Sequence, residues 1–184
     1  MAAIKPFQGY RSPSDMAGSV SSPPYDVMTS DEARDMVQGN PDSFLRVIKP
    51  EIDFTSGNEP KGDSLHEHGS ENLQQFISDG KLIQDKNLCF YIYQIKMGNH
   101  MQTGIMGAVS IEEYNQGLIK KHEFTRPDKE NDRTHHIEIT NANTGPVFLI
   151  FRNDGQFRKK VSEIKKQSPD ISFTADDETI HTLW

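Results

Sequence analysis

The sequence predicts an α+β domain, a central mixed sheet with hairpins flanked by short helices. Two apolar runs, Leu88 to Ile95 and Gly104 to Val109, flank Met97-Gly98-Asn99-His100, which is a hairpin pattern. Two S/T-x-x-E boxes, Thr29-Ser30-Asp31-Glu32 and Ser110-Ile111-Glu112-Glu113, mark helix starts. Strand and helix patterns interleave with both hairpins and crossovers, which points to α+β or mixed α/β rather than a purely parallel sheet.

Each element follows in chain order. From Ile4 to Asp26 prolines recur without a helical period, so this stretch should be an extended, turn-rich wrap. The helix opened by Thr29 should end near Gly39, the usual place for glycine past a helix end. Phe44 to Ile48 alternates well enough for a strand, and Glu51 to Asp63, polar and glycine-rich, should be a surface loop. Leu65, Leu73, Phe76 and Ile77 fall on one face of a following helix with Gly80 just past its end. After the hairpin, a short helix from Ser110 should stop at Gly117. Pro127 suits the first turn of a helix running toward Asn141, with Gly145-Pro146 as its stop. Val147 to Phe151 is a short apolar strand, and Asn153-Asp154-Gly155 turns into a helix that aligns Phe157, Val161 and Ile164. Ile171 to Phe173 and Thr179 to Trp184 read as two strands across an acidic turn. Ending on the apolar Leu183-Trp184, the chain reads as one N-terminal domain or fragment of a longer protein whose C-terminal part lies outside it.

Composition narrows the function classes. A chain of 184 residues can bury one sizeable core. The formal charge of -7 argues against nonspecific nucleic acid or acidic membrane partners, since both require neutralised phosphate. One cysteine, Cys89, sits in an apolar run as a buried strand residue, so no internal disulfide exists and a reducing, cytoplasmic compartment is expected. No run of eighteen apolar residues and no signal core occurs.

Two segments carry the chemistry. In Ser22-Pro23-Pro24-Tyr25-Asp26-Val27 the prolines fix the backbone and present a tyrosine and a carboxylate rigidly. A structural turn accounts for the same residues. Lys121-His122-Glu123-Phe124-Thr125-Arg126-Pro127 begins like a zinc H-E-x-x-H site, but Arg126 stands where the second histidine is required. On an extended segment Lys121, Glu123 and Thr125 share a face ahead of a helix N-terminus, a place for phosphate or Mg²⁺; an exposed charged connection is the competing account. Beyond Pro127, Lys129, Asp132, Arg133 and His136 recur at helical intervals. The like-charged Lys129 and Arg133 are i,i+4 neighbours, and an anion between them would relieve their repulsion. His66 and His68, two apart, face different sides of a helix and do not chelate together. Walker, Rossmann, nucleophile-elbow and paired C-x-x-C signatures are absent.

Several segments in order, Ile4-Lys5-Pro6-Phe7, Ser22 to Val27, Asn40 to Glu51, Lys121 to Thr125 and Gly145-Pro146-Val147-Phe148, carry a resemblance. Together they resemble the N-terminal part of the domain-of-unknown-function 1015 family of bacterial and archaeal proteins. Where relatives read Arg-His-Glu, this chain has Lys121-His122-Glu123, which keeps the charge and loses a bidentate fork. The family is similar in outline to the ParB–sulfiredoxin superfamily, which includes free-serine kinases, and its genes often neighbour serine-biosynthesis genes. The resemblance implies a phosphotransferase using ATP or ADP with Mg²⁺ on a small hydroxylated metabolite such as serine or phosphoserine. It further implies Glu123 or Asp26 as general base, with His122, Lys121, Arg126 and Arg133 steadying the phosphoryl group and Thr125 completing the cradle. A nucleotide- or phosphate-binding regulatory module without turnover is the alternative.

Overall fold

The computed structural model describes residues 2–122, 124–152 and 155–184. It opens with β1 (Ile4–Lys5), β2 (Tyr10–Arg11) and α1 (Ala17–Val20), then passes a 3-10 turn at Tyr25–Val27 to α2 (Ser30–Met36) and α3 (Leu45–Ile48). A second 3-10 turn at Pro50–Asp53 leads to α4 (Asp63–Ser78) and β3 (Ile83–Gln84). There follow β4 (Tyr91–Met97), β5 (His100–Met106), β6 (Ala108–Val109) and α5 (Ile111–Asn115). The chain closes with α6 (Pro127–Thr140), α7 (Gln156–Ile164), β7 (Ile171–Thr174) and β8 (Ile180–Leu183). This is an α+β fold, and every described ladder is antiparallel. No described helix is long and apolar enough to cross a membrane.

The residues fall into two compact units. The first comprises 2–18, 83–122 and 148–184, the second 19–82 and 124–147.

The first unit is built on a four-stranded sheet in the order β5-β4-β8-β7. Its hairpin pairs Tyr91 with Met106 through Met97 with His100, and Gly98 takes φ 55°, which a glycine-first hairpin turn requires. β1 and β2 hold the proline-rich wrap by two-residue ladders to β6 and β3. Beside them, Phe7 bridges the half-buried Cys89 in both directions. Tyr91 anchors this wrap: its ring packs on Phe7 at 5.3 Å, its hydroxyl donates to Asp85 at 2.7 Å, and it accepts from the Gly9 N–H at 2.9 Å. Burial, reinforced by the Asp85 carboxylate, pushes the Tyr91 phenol up to about 12.

In the second unit α2, α3 and the 3-10 turn at Pro50–Asp53 pack around Ala33, Val37, Leu45, Ile48 and Ile52, α4 packs on α3 and that turn, and α6 packs on α4. Thr29 forms the full capping box expected of it, accepting from the Glu32 N–H while the Glu32 carboxylate accepts from the Thr29 N–H. On α4, Leu73 and Phe76 are buried as the period requires, and Gly80 past its end has φ 73°. α6 starts on Pro127 and ends at Asn141 in the left-handed conformation, ahead of Gly145-Pro146. His136 on α6 is 1% exposed and bonds the Val47 carbonyl of α3 through Nε2 at 3.0 Å.

Three local expectations are corrected. Phe44 to Ile48 is a helical turn rather than a strand: the Leu45 N–H donates to Ser43 Oγ at 3.4 Å, and Leu45, Val47 and Ile48 all bury. Short apolar runs fit either state, and here the core selects helix. Among the described residues Val147 to Phe151 pairs with no strand, and Phe148 is 76% exposed. At Ser110 only half the capping box forms, because the Glu113 carboxylate accepts from the Ala3 N–H instead of closing the box.

Candidate functional site

In the second unit a cleft of about 360 Å³ opens beside the first two turns of α6. Asp128, Lys129, Asp132 and Arg133 supply one wall, because residues one turn apart share a helix face. Lys49, Pro50 and Glu51 supply another, and Tyr25, Ile48, Leu65 and His66 complete it. The volume lies in the range of small-molecule sites, but the lining is unusually charged.

Ion pairs account for most of those charges. Lys49 Nζ meets Glu51 Oε1 at 3.0 Å, and Ser30 Oγ donates to the same oxygen at 2.9 Å. Arg133 donates through Nε and Nη2 to Asp132 Oδ2 at 3.0 and 2.7 Å, and its guanidinium lies 4.5 Å from the Tyr25 ring centre. Asp128 is held at 2.7 Å by Arg126, whose guanidinium keeps that carboxyl below its ordinary range. Each carboxylate of the cleft thus has its own cation. Lys129 is left without a carboxylate partner among the described residues. The lining itself balances Lys49, Lys129 and Arg133 against Glu51, Asp128 and Asp132, and Arg126, from outside the lining, adds one positive charge beside the positive end of α6.

Behind the wall stands His66, with its ring edge-on to His136 at 5.8 Å. Burial pushes His136 down from its ordinary value; Arg133 and His66 push the same way, and the bond to Val47 opposes them. Gly69 lets α4 approach here, since a Cβ at that position would lie 3.0 Å from the Val47 carbonyl oxygen.

The sequence-expected residues are placed as follows. Arg133 lines the cleft. Asp26 is exposed in the 3-10 turn beside Tyr25, Thr125 is exposed, and Arg126 is exposed and paired with Asp128. Lys121 and His122 are exposed in the first unit, with the Lys121 amine 5.0 Å from the Tyr114 ring centre. Glu123 lies outside the described residues. Sequence reasoning found the α6 face by its period. It missed Lys49, Glu51 and His66, which reach the cleft only through tertiary packing, and Asp128.

A larger groove of about 710 Å³ runs along α4 past Glu67, Glu71 and Ile139, but it gathers no cation and suits no anion. The Tyr93 hydroxyl and His181 Nδ1 are 2.6 Å apart on the four-stranded sheet, where Phe173 stacks on the same imidazole at 4.9 Å. Among the described residues no group of three or more His, Cys, Asp or Glu could hold a metal ion.

Fold and cleft together define an α+β protein with an ion-paired polar pocket. The family described as Protein of unknown function (DUF1015) matches residues 4–184, and the chain belongs to it. No curated protein and no solved structure matches the chain.

Proposed function

We propose that the protein is a nucleotide-dependent phosphotransferase acting on a small hydroxylated metabolite, serine or phosphoserine in type, with the α6 cleft as its phosphate-binding part. The observation that carries the reading is the ion-pair accounting. Glu51, Asp128 and Asp132 face Lys49, Arg126 and Arg133, Arg126 from outside the lining, and among the described residues Lys129 has no carboxylate partner beside Arg133. The reaction class is proposed from the family's suggested likeness in outline to ParB–sulfiredoxin proteins.

In such a transfer the substrate oxygen bonds phosphorus while the bond from phosphorus to the donor nucleotide breaks, and the hydroxyl proton passes to a base. Asp26 or Glu123 takes that proton on this reading. On this reading Arg133 holds the phosphoryl oxygens, with Thr125 and Arg126 just ahead of α6. Mg²⁺ would have to arrive on the nucleotide phosphates, because the cleft carboxylates already face cations and offer it no free protein ligand.

One observation favours the second reading, a phosphate- or nucleotide-binding regulatory module without turnover. No carboxylate lining the cleft is free of a cation, so the cleft is better built to hold an anion than to deprotonate a hydroxyl. Phosphorus NMR separates the two. The protein mixed with serine and ATP or ADP should form phosphoserine, and Glu123→Gln should abolish it. Binding with no transfer from either nucleotide selects the regulatory module.

A further inference from the structure

The chain carries a net charge of -7, yet Phe148 to Lys166 holds six Lys and Arg against Asp154 and Glu163. Of the six, Lys165 is engaged by Gln94 and by the Trp184 ring. Arg152, Arg158, Lys159, Lys160 and Lys166 are exposed and have no carboxylate partner among the described residues. None of them lines the α6 cleft.

An apolar run lies beside these cations. Phe148, Leu149, Ile150 and Phe151 are consecutive and all exposed, Ile150 at 87%. Phe151 ties the run to α7, its ring edge-on to Phe157 at 5.1 Å. Among the described residues, no backbone N–H or C=O of these four forms a hydrogen bond. One short segment thus offers free backbone donors and acceptors, apolar surface and positive charge together.

Those three properties select the occupant. A lipid surface would have to bury backbone groups that hydrocarbon cannot satisfy. A second copy docked symmetrically on the run would set two basic α7 helices against each other. A nucleic acid would meet the cations and stack on the phenylalanines, but it has no ladder to offer the backbone. An added strand with carboxylates beside it answers all three.

We propose that Phe148 to Phe151 is a strand-addition site for another protein: it pairs, backbone to backbone, with an extended apolar segment flanked by Asp and Glu, whose carboxylates meet Arg152 and the Arg158, Lys159 and Lys160 of α7. The ladder supplies affinity, and the carboxylates select acidic segments over basic ones. Four residues of ladder make a small interface, so the expected Kd is about 10–100 μM.

The test titrates the whole chain with the end-capped peptide Glu-Glu-Val-Ile-Val-Ile-Glu-Glu and follows backbone amides by NMR. The peptide should bind, slow amide exchange at 148–151 about tenfold or more, and bind more weakly as salt is raised. The same peptide with lysine in place of glutamate should not bind. Leu149→Pro/Ile150→Pro removes a donor from each edge of the strand, since successive N–H groups point to opposite edges. That variant and Lys159→Glu/Lys160→Glu should each weaken peptide binding about tenfold or more, with thermal melting unchanged. The inference is overturned if the acidic peptide fails to bind, if the lysine peptide binds as tightly, or if both folded variants bind like the wild type. It is equally overturned if the variants abolish a dimer seen by sedimentation, or binding to phosphatidylserine vesicles or an oligothymidine strand, while the acidic peptide stays unbound.

Discussion

His136 offers the sharpest test of the packing around the cleft, through acid. Its imidazole is 1% exposed, donates from Nε2 to Val47, and is pushed by burial below its ordinary value of 6.5. A base with a depressed folded value is neutral in the native state where the unfolded chain is already protonated. Its stabilising effect is therefore complete above 6.5, falls as pH drops below it, and levels off once pH passes the folded value. Between those limits the slope approaches about 1.4 kcal/mol per pH unit, the weight of one proton. Burial likewise lowers His181, so the wild type slopes the same way for two reasons, and the comparison must be made with a variant. His136→Gln keeps an N–H within reach of Val47 but cannot take up the proton. At neutral pH it should cost about 1–3 kcal/mol for a strained or lost buried hydrogen bond. Its loss of stability from about pH 7 to about pH 5.5 should be shallower than the wild type's by up to about 1 kcal/mol. Urea unfolding monitored by circular dichroism at several pH values reads both quantities. Parallel pH profiles for wild type and variant would refute the account of His136 as a neutral buried donor.

Other outcomes follow from the same structure. Gly9→Ala places a Cβ 2.8 Å from the Tyr91 hydroxyl oxygen, so it should displace the ring from Asp85 and destabilise the wrap by about 1–3 kcal/mol, measured by urea unfolding. Phe148→Glu changes a side chain that is 76% exposed, so it should leave stability within about 0.5 kcal/mol while lowering binding of a hydrophobic dye and aggregation on heating.

Much of this fold is legible because its signals are local. Thr29 and Glu32 close a box three residues long, Gly98 sets a two-residue turn, Pro127 starts α6 and Asn141 ends it. Phe44 to Ile48 misleads because five apolar-rich residues fit either period, and the decision belongs to Ser43 and to the surrounding core. Val147 to Phe151 has strand composition but no partner edge, and composition cannot supply one. The candidate site divides in the same way. Lys129, Asp132 and Arg133 follow from the α6 period, whereas Lys49, Glu51 and His66 arrive from segments far away in sequence. Nothing in the sequence around His66 announced an unpartnered Nδ1; that emerges only when its neighbours are placed.

The order of strands in the four-stranded sheet bears on how the chain is made. β4 pairs on one side with β5, its immediate successor, and on the other with β8, which is synthesised only after α5, α6 and α7. The β4–β5 hairpin therefore leaves the ribosome with the β4 edge unpaired, carrying the apolar Tyr91, Ile92, Tyr93 and Ile95. Such an edge can template pairing with another chain until its own partner arrives. Nascent chains halted before Ile180 should accordingly be the most dependent on chaperones, even though most of the helices have already emerged.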